Sequence, residues 1–105
     1  MSIQEKVKTF VGDLVENLVD KKNDVNIEVS ISTKTILVQI KTAKEDCGKV
    51  IGRKGRTIES IKVLTLAFKN TQFPQDSKNI SVEIIESDNV IINKKIHGDY
   101  SDVKK

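Results

Sequence analysis

Apolar positions near the start of the chain recur at helical spacing. Ile3, Val7, Phe10, Val11, Leu14 and Leu18 fall on one face, which predicts a helix running to about Asp20. Ser2-Ile3-Gln4-Glu5 reads as its capping box, with Ser2 and Glu5 each bonding the other's backbone N–H. Gly12 costs such a helix up to about 1 kcal/mol relative to alanine, so close packing is expected there. After a polar turn at Lys21–Asp24 the period changes to two. Val25, Ile27, Val29 and Ile31 alternate with polar residues, and Ile36, Val38 and Ile40 do the same beyond a short turn at Thr33-Lys34. Asp46 is then placed to N-cap a short apolar helix containing Cys47, Val50 and Ile51. Helical spacing returns at Ile58, Ile61, Leu64, Thr65 and Phe68, followed by a polar loop from Lys69 to Asn79 that holds the only proline, Pro74. Ile80, Val82 and Ile84 predict a third strand ending near Glu86. The order is helix, strand, strand, helix, helix, strand. In an α+β domain, a three-stranded sheet with three helices packed on one face gives every apolar face a partner.

Between the two inner helices lies Gly52-Arg53-Lys54-Gly55, the turn the remaining elements are arranged to present. Gly48, Gly52 and Gly55 are three of the five glycines, and Arg53 and Arg56 are the only arginines. Gly52 stands where the short helix must stop, and glycine takes the left-handed conformation expected there without a Cβ penalty. Gly55 opens the longer helix and leaves its backbone approachable. The N-terminus of that helix carries unpaired N–H groups and a partial positive charge. Arg53, Lys54 and Arg56 add cations, and Arg56 opposes the helix dipole, so a bound phosphate explains it better than helix stability does. Such a turn suits a phosphodiester chain; the plain alternative is a helix–turn–helix connection with solvated charges.

The stretch V-I-G-R-K-G-R followed by an amphipathic helix resembles the KH domain, whose Gly-x-x-Gly loop holds about four nucleotides of single-stranded RNA. The element order αββααβ is similar to the bacterial, type II arrangement. Over roughly residues 2–86 the chain resembles small bacterial single-KH-domain RNA-binding proteins of the KhpA type. That resemblance implies RNA binding through Gly52, Arg53, Lys54, Gly55 and Arg56. It also implies a groove floor of aliphatic side chains beside the loop, among which Ile51 and Val50 divide between floor and core. It further implies homodimerisation, and heterodimerisation with a larger KH protein of the KhpB (Jag) type. Lys49 and Lys44 flank the groove, either touching phosphates or simply solvated. The KH domain is thus expected over 1–86 and a C-terminal extension over 87–105. In the extension Val90, Ile91 and Ile92 read as an added strand or a docking segment, and Lys94 to Lys105 as a flexible tail.

Composition sharpens this picture in a few places. The net charge is only +3, but Lys44 to Arg56 holds five cations against Glu45 and Asp46, so the basic excess sits at the loop. One cysteine makes no internal disulfide, which fits a reducing cytoplasm, and Cys47 in an apolar context reads as a small core residue. No apolar run reaches membrane-span length, so no membrane association is expected. His97 stands alone, so neither a metal site nor a cofactor is expected. The glycine spacing fits neither a P-loop nor a dinucleotide fingerprint, which argues against an enzyme. Val63, Leu66 and Ala67 lie off the core stripe of the long helix and make a second apolar patch, expected as a dimer interface. That patch supports the competing reading of a protein-interaction module in which RNA is secondary. Single-stranded DNA stays open as the ligand, since a backbone clamp need not sense the 2′-hydroxyl.

Overall fold

The computed structural model describes residues 2–85. The expected strand at 90–92, the tail and the domain end at 86 lie outside the described residues. Helix α1 spans Ile3–Glu16, strands β1 and β2 span Asn26–Ile31 and Thr35–Lys41, and the short α2 spans Cys47–Ile51. Helix α3 runs Arg56–Gln72 and strand β3 Asn79–Ile85. The sheet order is β1-β2-β3, with β1 antiparallel and β3 parallel to β2. The parallel pair requires a crossover, and α2 and α3 supply it. Registers Val29↔Val38 and Val38↔Val82 align the apolar positions of all three strands on one face. That face and the three helices close over Val7, Val11, Val15, Ile36, Val38, Ile40, Val50, Ile51, Ile61 and Ile84.

The capping box at Ser2 forms in full, Ser2 Oγ accepting from the Glu5 N–H at 3.1 Å. Helix α1 ends at Glu16 rather than near Asp20, because its core stripe is the i, i+4 row Val7, Val11, Val15. Past Asn17 the chain turns, burying Val19 and leaving Leu18 exposed. Gly12 is not a close-packing point. A Cβ built there meets only Ile27 Cγ1, at 3.8 Å, an ordinary contact. Gly12→Ala is therefore expected to stabilise the fold by about 0.5–1 kcal/mol, read as a higher urea midpoint with unchanged slope.

Two expectations about α3 change. Its buried row is Ile58, Ile61, Thr65 and Lys69, so the helix continues through Lys69, where a polar loop was expected, to Gln72. Leu64 and Leu66 sit on opposite flanks of that row. Leu64 is 50% exposed, whereas Leu66 packs partly against the core. The buried Lys69 donates to the Asp76 carbonyl at 2.7 Å and pairs with its carboxylate at 3.4 Å, holding the 73–78 loop against the helix. Phe10 and Phe68 stack across α1 and α3, centroids 4.3 Å apart.

Candidate nucleic-acid interface

The turn between α2 and α3 is built from three positive-φ residues in four. Gly52 has φ 79° and ψ 169°, Lys54 φ 56° and ψ 27°, and Gly55 φ 73° and ψ 15°. The left-handed residues are thus Lys54 and Gly55, not Gly52. Gly52 is extended with positive φ, a region only glycine enters cheaply. A Cβ on Gly52 would also stand 2.6 Å from Thr57 Cβ and 2.8 Å from the Thr57 N. Thr57, which no sequence motif singles out, is thus the wall against which Gly52 is packed. The N–H of Gly52 donates to the Gly48 carbonyl at 2.8 Å, and that of Gly55 to Gly52 at 3.1 Å. Lys54 holds a left-handed conformation at a cost of roughly 1–2 kcal/mol. That strain turns a cationic residue outward at the tip.

Helix α3 starts from Gly55 with no side-chain cap, so the positive end of its dipole opens at the turn. Arg53, Lys54 and Arg56 are all exposed there. From this corner a groove of about 610 Å³ runs between the first turns of α3 and β3, lined by Lys54, Arg56, Ile58, Lys62, Ser81 and Val82 among others. Cationic at one end, with Ile58 and Val82 on its walls, it can take a phosphodiester chain along one side and bases on the other.

Two candidate residues stand behind the turn rather than in the groove. Ile51 is wholly buried beside Val50, anchoring α2 in the core. Lys49 points back from the turn, 2.9 Å from Asp20 and 3.1 Å from the Asp46 carboxylate. Asp46 stands at the N-cap position of α2, but its side chain makes no capping hydrogen bond there. It is 1% exposed, and its carboxylate accepts from the N–H groups of Lys21 at 2.9 Å and Asp20 at 3.3 Å. It thereby ties the start of α2 to the chain between α1 and β1. Burial alone would push the Asp46 carboxyl up. The Lys21 N–H, the Lys49 ammonium and the Asp20 N–H outweigh that and hold it below the ordinary aspartate value. A depressed folded-state pKa means that this stabilisation is complete above about pH 4 and is lost as pH falls through the folded value. Asp46→Asn is therefore expected to flatten the acid side of the stability profile, measured as urea midpoints from pH 7 to pH 3. An unchanged acid slope would contradict this.

Cys47 is buried, its Sγ 3.3 Å from Thr42 Oγ1, and is a core residue. On α3, Val63 is 56% exposed and stands with Leu64 and the exposed Ala67 on one outer face. Leu66 lies at its margin, so the outer apolar patch is Val63, Leu64 and Ala67. Among the described residues no helix is long and apolar enough to cross a membrane.

The KH-domain model of KhpA/KhpB matches residues 8–84. The chain is 38% identical over 80 residues to a protein of Chlamydia trachomatis named RNA-binding protein KhpA, covering 76% of this chain and 97% of that one. A Clostridium perfringens protein of the same name is 33% identical over 79 residues, 75% of this chain and all of the relative. One from Caldanaerobacter subterraneus is 34% identical over 79 residues, 71% of this chain and all of that protein.

Proposed function

Since the chain belongs to the KhpA/KhpB KH-domain family, we propose that it binds single-stranded RNA and holds it by its backbone at the Gly52–Gly55 turn. The observation that carries this reading is the turn itself. Positive-φ backbone, an uncapped helix N-terminus and the exposed Lys54 and Arg56 meet at the mouth of one groove, with the exposed Arg53 on the same turn. Phosphates bind the turn and α3, while bases lie toward Ile58 and Val82. Ile51 and Lys49 support the turn from behind, the first through the core and the second through Asp46 and Asp20. One loop neutralises few phosphates, so binding is of modest strength, salt-sensitive and tolerant of sequence. That behaviour suits an RNA chaperone or post-transcriptional regulator acting in the cytoplasm.

A second reading is favoured by the outer face of α3. Val63, Leu64 and Ala67 form an apolar surface suited to a second KH domain, either another copy of this chain or a KhpB (Jag)-type protein. Leu66, at the margin, contributes from the edge. In the strong form of this reading, dimerisation is the main task and RNA is secondary.

Fluorescence anisotropy with a short single-stranded RNA, at two salt concentrations and with mass by light scattering, tests both. Contact with two or three phosphates predicts a slope of about −1.5 to −2 in log affinity against log salt. A stable dimer that binds no RNA at low salt would overturn the RNA reading in favour of the interaction module. Equal affinity for single-stranded DNA would mean that only the backbone is sensed.

A further inference from the structure

Among the described residues that line the groove, Lys54, Arg56 and Lys62 are cations and Glu59 is the one acid. Glu59 stands three residues from Arg56 and three from Lys62, a spacing at which helical side chains can pair. Among the described residues it nevertheless takes part in no ion pair. A carboxylate in the first turn suits the dipole of α3, but in this groove it also repels the phosphates that Lys54 and Arg56 attract. Such a group is useful where it meets a donor on the ligand rather than a phosphate oxygen. Its neighbours put it in that position. Ile58 and Val82 form the apolar wall for a base, and Glu59 follows Ile58 in the chain. Along the axis of α3 it lies about 4.5 Å beyond Arg56. With a phosphate at the turn and its base on the wall, Glu59 meets the edge of the base.

The four bases offer a carboxylate different edges. An ionised carboxylate only accepts, and guanine presents N1–H and N2–H2 side by side, one donor for each oxygen. Adenine and cytosine set an amino donor beside a ring-nitrogen acceptor, and uracil sets one N–H between two carbonyls. Each of these three therefore brings an acceptor against the carboxylate. The hydroxyls of Ser60 and Ser81 rotate to suit any base and do not discriminate. We propose that Glu59 reads guanine, accepting from the N1–H and N2–H2 of a base laid on Ile58 and Val82. Lys62, one turn farther along α3, is a donor for the adjacent O6. This reading rests on the RNA binding proposed above and adds one selective position to binding that otherwise tolerates sequence. A good bidentate pair separates bases by about fivefold to a hundredfold, and the exposed Glu59 takes the lower end.

The test is anisotropy with uridine pentamers carrying guanine, inosine or adenine at the centre, for the full chain and its Glu59→Gln variant at two salt concentrations. Wild type is expected to bind the guanine pentamer about fivefold to tenfold more tightly than the adenine one. Inosine, which lacks the N2 amino group, should fall between them. The ratio should hold at both salt concentrations, because the pentamers carry the same charge. In Glu59→Gln every affinity should rise as a negative charge leaves the groove, while the guanine-to-adenine ratio falls to within about twofold. A purely electrostatic role for Glu59 would raise all affinities and leave the ratio alone, so the ratio decides. Wild type binding all three pentamers equally, or a guanine preference that survives in Glu59→Gln, would overturn the assignment and leave RNA binding standing. If wild type binds none of the pentamers at low salt, the RNA reading falls and the guanine contact falls with it.

Discussion

Arg53→Asp/Lys54→Asp is expected to lower affinity for single-stranded RNA by about a hundredfold at 0.1 M salt and to remove most of its salt dependence. Both side chains are exposed at the turn, and Lys54 lines the groove mouth. Each charge-assisted contact to a phosphate is worth about 1.5–3 kcal/mol, so losing two gives about 3 kcal/mol or more, a factor of a hundred. The new carboxylates add repulsion. The fold should not respond, because neither side chain is in the core and because aspartate tolerates the left-handed conformation of Lys54 better than most residues. The variant should therefore melt with wild type and keep its oligomeric mass, measured on the samples used for anisotropy. A less than threefold loss of affinity would remove the turn from the binding site.

Lys69→Ala is expected to cost the largest stability of any single change discussed, about 3 kcal/mol. Lys69 is 1% exposed, its stem packed in the core and its ammonium donating to the Asp76 carbonyl. Alanine removes both the packing and the ion pair, which for buried pairs costs about 3–5 kcal/mol. The lower end applies because Asp76 keeps the Lys78 ammonium at 3.1 Å and the Lys78 N–H at 2.8 Å. Lys69→Met, which retains most of the stem, should lose about half as much. Urea unfolding of both variants separates the two contributions, and a loss below 1 kcal/mol for alanine would contradict the assignment.

The main elements were legible because period and punctuation agreed. Alternation in β1 and β2, the Ser2 capping box and the glycines around Arg53 and Lys54 each carry a local physical signal. The parallel pairing of β3 follows once α2 and α3 are seen to form a crossover. Errors arose where tertiary contacts outweighed pattern. A lysine in a helix reads as solvent-facing, and only the loop folded back over α3 makes Lys69 a core residue. Leu64 and Leu66 lie at nearly equal angles on either side of the buried row, so sequence alone cannot say which flank is covered. Asp46 has the residue type of a cap, but its carboxylate is taken by N–H groups more than twenty residues away in sequence. At the site, the Gly52–Gly55 turn and its cations were readable. The seating of Gly52 against Thr57 and the fixing of Lys49 by Asp20 and Asp46 were not, since both depend on side-chain placement.

The most direct test of the RNA clamp is a titration of the labelled protein with a short single-stranded RNA, followed amide by amide. The expected result is saturable shifts largest at Gly52, Arg53, Lys54, Gly55, Arg56 and Thr57, extending to Ser81 and Val82 and weakening with salt. Shifts confined to Val63, Leu64 and Ala67, or none at all from an intact dimer, would contradict the clamp and leave the protein an interaction module.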